Sequence, residues 1–172
     1  MVGVRLGYQN VGGGTDATHE YLERCARGDV VIAFVGECWV EMVCGKGTQS
    51  HPDFVCIGGF LKGARVAVHV RKDWAHLVSI VHIDLRVVVL ELGGVLVGGV
   101  YGKCGHTVHT ASQWLRSIRK VVDGRRWVLL GDWNAHHRSW SLEGKEDSVG
   151  RVLAEWVEGM GAEVKFGGGR LS

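Results

Sequence analysis

The chain has 172 residues, of which 46% are hydrophobic and 22% charged; that is ordinary for one globular domain, long enough for a single sizeable core and short for two. A formal net charge of +2 is too small to mark a nucleic-acid binder by bulk electrostatics and does not exclude one. No apolar run spans a bilayer, the opening Met-Val-Gly-Val-Arg leads into a strand without a signal peptide, and five cysteines without a CxxC pair argue for reduced thiols in an intracellular protein and against zinc.

Residues 2–10 alternate Val2, Val4, Leu6 and Tyr8 with small or polar residues, the period of a half-buried strand. Gly12-Gly13-Gly14 breaks it, and Thr15 or Asp16 is placed to cap a helix over residues 17–27 with Tyr21, Leu22 and Cys25 as its apolar stripe. Val30-Val31-Ile32-Ala33-Phe34-Val35 is a continuous apolar run, read as a fully buried central strand. It ends on Gly36-Glu37, a carboxylate at a strand exit. Residues 40–52 read as a glycine-rich loop whose Gly45-Lys46-Gly47-Thr48 fails the phosphate-loop pattern. Short strands follow over 54–57, 65–71, 77–83, 85–92 and 95–101. Within 65–71, Val66, Val68 and Val70 share one face, leaving His69 and the arginines to a solvated or nucleic-acid-facing side.

Residues 107–122 read as a helix with Ala111, Trp114, Leu115, Ile118 and Val122 inward and Arg116, Arg119 and Lys120 outward. His106 and His109 are helix-entry residues. Residues 127–130 form a second buried strand, 149–160 a helix burying Val152, Leu153, Trp156 and Val157, and 162–166 a last short strand. Strands crowd the middle of the chain with helices around them, which suits an α/β sandwich of packed sheets rather than strict βαβ alternation.

The second buried strand delivers Gly131-Asp132-Trp133-Asn134. A carboxylate and a carboxamide at i and i+2 leave a strand exit on one side, where they can bind a hard cation or phosphate or position a water. An Asx turn closing the strand is the alternative. The composition speaks to the choice. The chain has 27 glycines, one proline (Pro52) and only two asparagines, Asn10 and Asn134. Both follow an apolar strand instead of being scattered through turns.

Gln9-Asn10-Val11, Val35-Gly36-Glu37, Val100-Tyr101 and Gly131-Asp132-Trp133-Asn134-Ala135-His136-His137 occur in the order of the motifs of the endonuclease/exonuclease/phosphatase superfamily, which the chain resembles over nearly its whole length. The His-His pair, Trp140 and Gly150-Arg151-Val152-Leu153 make it most like the endonuclease domains of non-LTR retrotransposons. The resemblance implies a DNase I-like α/β sandwich of two packed mixed sheets flanked by helices, one domain over residues 1–172. It implies phosphodiester or phosphomonoester hydrolysis with Mg2+ or Mn2+. Glu37 would be the principal metal ligand, with Asn10 helping to bind metal or phosphate. Tyr101 would donate to a phosphate oxygen, Asp132 would position or deprotonate the attacking water, and Asn134 would hold the phosphate. The partner implied is nucleic acid, DNA above all, gripped through its backbone, in an intracellular setting that includes the nucleus.

The chain departs from the pattern after Asp132. The family continues to a further carboxylate and a Ser-Asp-His-like segment, whereas here the later aspartate is Asp147 and the later histidines are His136 and His137. The expectation is a fold lacking the family's final strands, with cleavage weak or absent. A retroelement-type endonuclease, an inactive remnant, and a phosphomonoesterase or binding module on the same fold all stay open.

Overall fold

The computed structural model describes residues 3–38, 51–58, 61–141 and 143–165. The Gly45–Thr48 segment and Phe166 lie outside the described residues, as does Cys44; Cys25, Cys38, Cys56 and Cys104 are free thiols. The chain divides into two compact units, Met1–Gly102 with Gly124–Trp133, and Lys103–Asp123 with Asn134–Ser172.

The first unit is a sandwich of two four-stranded sheets. In one, β1 (Arg5–Asn10), β2 (Val30–Gly36), β3 (Phe54–Gly58) and β4 (Val66–Arg71) lie in the order β1-β2-β4-β3. The pair β1/β2 is parallel because α1 (Thr15–Arg27) carries the chain back between them; β4 is antiparallel to both its neighbours. The N-cap of α1 lies one residue before the nearer of the expected caps, Thr15. Gly14 stands at its N-cap without a side-chain bond, Asp16 sits in the first turn, and Arg24 and Arg27 sit in the last, as the helix dipole favours. Tyr21, Leu22 and Cys25 then pack on Ala33, Val35, Phe54 and Ala67, covering one face of the sheet.

The second sheet holds β5 (Val78–Ile83), β6 (Val87–Leu92), β7 (Val95–Tyr101) and β8 (Arg126–Asp132) in sequence order, antiparallel except for the parallel pair β7/β8. The main core lies between the sheets, where Ile32, Phe34, Val66, Val68 and Val70 of one meet Val88, Leu90 and Val97 of the other. Phe34 is fully buried, and a Cβ on Gly99 would overlap its ring. Glycine at 99 is therefore what lets the sheets close at that point.

Three expectations need correction. His69 faces neither solvent nor a nucleic acid: β4 is a central strand, so Val66, Val68 and Val70 enter the inter-sheet core while Ala67 and His69 are buried on the α1 side, His69 at 3% exposure. β8 is not a fully buried strand. It stands at one end of its sheet and Val128 is 45% exposed. Residues 162–165 form no strand.

In the second unit, α2 (Val108–Val122) is capped by Thr107, whose hydroxyl accepts from the Thr110 N–H at 3.3 Å, and packs with α3 (Ser148–Gly159). No helix among the described residues is long and apolar enough to cross a membrane.

Candidate active site at four strand ends

Parallel pairing determines which strand exits come together. Asn10 ends β1 beside Gly36 of β2, and Tyr101 ends β7 beside Asp132 of β8. Each parallel pair thus delivers its polar residues at the same end, where open α/β sheets present ligand sites. Two hydrogen bonds then cross between the sheets. The Tyr101 hydroxyl donates to Glu37 Oε1, and Asn10 Nδ2 donates to Asp132 Oδ2 at 3.0 Å. Four of the five sequence-predicted residues are thereby gathered in one constellation within the first unit.

The backbone holds this arrangement under strain. Glu37 has φ +50°, a left-handed conformation that costs a non-glycine residue about 1–2 kcal/mol. Its carbonyl accepts from the Gly13 N–H at 2.8 Å, and the Gly36 carbonyl accepts from the Val11 N–H at 3.0 Å. The glycine turn after β1 therefore clamps the Glu37 turn after β2. Asn10 Oδ1 accepts from the Gly12 N–H at 3.0 Å, an Asx turn closing β1, alongside the bond to Asp132. Tyr101 is buried, Glu37 and Asp132 are half-buried, and Asn10 is exposed.

Among the described residues no three His, Cys, Asp or Glu side chains gather as a metal cage. The donors here are two carboxylates and an amide. This all-oxygen set fits a hard cation that keeps most of its own waters, Mg2+ or Mn2+. Glu37, with Oε1 fixed by Tyr101, would present Oε2 to it.

Asn134 belongs to the second unit. Its φ is +46° and its Oδ1 accepts from the Cys104 thiol at 3.0 Å. The later residues of the motif are tied locally as well. Asp147 Oδ1 caps α3 by accepting from the Gly150 N–H at 2.6 Å, while Oδ2 accepts from the His136 N–H at 3.0 Å and meets His136 Nδ1 at 2.9 Å. Burial pushes the Asp147 carboxyl up, but the Gly150 N–H and then the His136 side chain and N–H outweigh it and hold it below the usual carboxylate range. Glu146 is lowered too, chiefly by its bond from Arg138. The link from Asp147 to His136 was not read from the sequence, although Asp-Ser-Val-Gly before an apolar run is a capping signal. Asp147→Ala is expected to cost about 1–2 kcal/mol in urea unfolding, with Asp147→Asn closer to wild type. Equal stability of all three proteins would show that the cap contributes nothing.

Two solved structures place this architecture among known ones. The endonuclease domain of TRAS1, a telomere-specific non-LTR retrotransposon, superposes with a TM-score of 0.71 at 17% identity, covering 92% of this chain and 72% of that one. The fold is DNase I-like. Humanized D. rerio TDP2 shares it with a TM-score of 0.52 at 12% identity, over 82% of this chain and 66% of that one. No family model and no curated protein matches the sequence. At such identities the likeness lies in the DNase I-like fold, which agrees with the two mixed sheets described above.

Proposed function

We infer that this chain hydrolyses phosphodiester bonds of nucleic acid, DNA above all, with Mg2+ or Mn2+. The observation that carries this reading is the pair of hydrogen bonds joining Tyr101 to Glu37 and Asn10 to Asp132 at the ends of two parallel strand pairs. The endonuclease named among the structural neighbours supports it at the level of fold.

Each residue has a task its chemistry suits. Glu37, helped by Asn10, would hold the cation, which when bound stabilises charge on the phosphate and the leaving oxygen. Tyr101 fixes the Glu37 carboxylate and is the hydroxyl nearest in kind to a phosphate donor. Asp132, oriented by the Asn10 amide, is the acceptor for a proton from the attacking water. Asn134 is assigned the phosphate by the resemblance, two residues after Asp132 in the sequence. A site built from backbone-gripping and metal-binding groups needs no strongly basic surface, which accords with a net charge of +2.

The test offers supercoiled plasmid, single-stranded RNA and a phosphomonoester in parallel, each with Mg2+ or EDTA, with the protein in excess. The expected result is slow nicking of the plasmid that EDTA abolishes and that Glu37→Gln lowers by about 100-fold. Preferential release of phosphate from the monoester would replace this reading with a phosphomonoesterase. Absence of metal-dependent hydrolysis on all three substrates would leave a catalytically inactive fold.

A further inference from the structure

Tyr8 precedes Asn10 by two residues on β1, so both side chains leave the same face of the strand. Its ring packs against the core between the sheets and reaches across the end of β2, where a Cβ on Gly36 would overlap the hydroxyl. Glycine directly before Glu37 thus makes room for this phenol.

The hydroxyl oxygen is buried, yet it has no hydrogen bond of normal geometry. The hydroxyl sits at the end of β2, directly before Glu37. Phenylalanine would fill the same space without leaving a buried donor unsatisfied, which costs stability. A tyrosine here makes physical sense when something that enters the site accepts its proton.

Resting on the function inferred above, we propose that Tyr8 is a positioning residue whose hydroxyl donates to an oxygen of the hydrated cation that Glu37 would hold. The contact would orient that oxygen, as outer hydrogen-bond partners commonly do at metal sites. Sequence alternation alone assigns Tyr8 to the core, and its ring is indeed there; only the hydroxyl belongs to the site.

Mn2+ binding to the full chain, followed by the loss of the free-ion paramagnetic resonance signal, tests this on wild type, Tyr8→Phe and Glu37→Gln, with metal-free urea melts of each. The expectation is about tenfold weaker Mn2+ binding in Tyr8→Phe, a metal-free melt at or above wild type, and loss of binding in Glu37→Gln. If Tyr8→Phe binds Mn2+ as wild type does while Glu37→Gln does not, the role of Tyr8 is overturned and the metal site stands. If Tyr8→Phe melts well below wild type without metal, the hydroxyl is structural and the proposal falls. If wild type takes up no Mn2+, or Glu37→Gln binds it equally well, the metal site and the role of Tyr8 fall together.

Discussion

Asp132→Ala is expected to lower Mg2+-dependent plasmid nicking by about 100- to 10,000-fold while shifting stability by no more than about 0.5 kcal/mol. The two effects separate because Asp132 ends β8 at a half-buried position, with its main-chain carbonyl, not its side chain, holding Gly102 at 2.7 Å. Removing the carboxylate takes away the acceptor for Asn10 Nδ2, but Asn10 is exposed and water can replace it. Asp132→Asn sharpens the result. Its carbonyl oxygen can still face the Asn10 amide, so geometry survives and proton acceptance is lost. If Asn restores nicking, Asp132 only positions; if Asn is as inactive as Ala, Asp132 takes the proton. Single-turnover rates with protein in excess give both numbers. Nicking by Asp132→Ala at the wild-type rate would remove Asp132 from the chemistry and the site with it.

What the sequence makes legible is the inventory of strand exits. Asn10, Glu37, Tyr101 and Asp132 each follow an apolar run, and that local pattern survives in the structure as β1, β2, β7 and β8. Which exits meet is a matter of pairing, and pairing is not local. The parallel registers of β1 with β2 and β7 with β8 put the four exits at common ends, and no periodicity within one strand encodes that. β4 shows the complementary failure. Its alternation of valine with Ala67, His69 and the arginines looks one-sided, but a central strand covered by α1 is buried on both faces, so a residue classed as polar by type ends in the core. β8 errs the other way, since an apolar run at the end of a sheet order keeps Val128 exposed.

That misplaced histidine leads to the second large effect. His69 is buried with neither ring nitrogen hydrogen-bonded. Burial, with a smaller contribution from the neighbouring His51, lowers its pKa from the ordinary 6.5 to about 4. Between those values the unfolded chain binds a proton that the folded chain refuses. Stability from the neutral ring is therefore complete above pH 6.5 and is lost as pH falls toward 4, a total on the order of 3 kcal/mol. Between pH 7 and pH 5 the loss is about 2 kcal/mol. The lowered carboxylates, Glu146 and Asp147, also weaken the fold in acid. Their window opens around the ordinary carboxylate values and runs downward, so it meets this one only at its acid end and adds little between pH 7 and pH 5. His69→Leu keeps a similar volume, removes two unsatisfied polar atoms, and takes up no proton in either state. It is expected to be more stable than wild type at pH 7, by about 1–3 kcal/mol, and to lose little between pH 7 and pH 5. Urea unfolding of both proteins at the two pH values decides it. Parallel losses in wild type and His69→Leu would mean that another group carries the acid sensitivity.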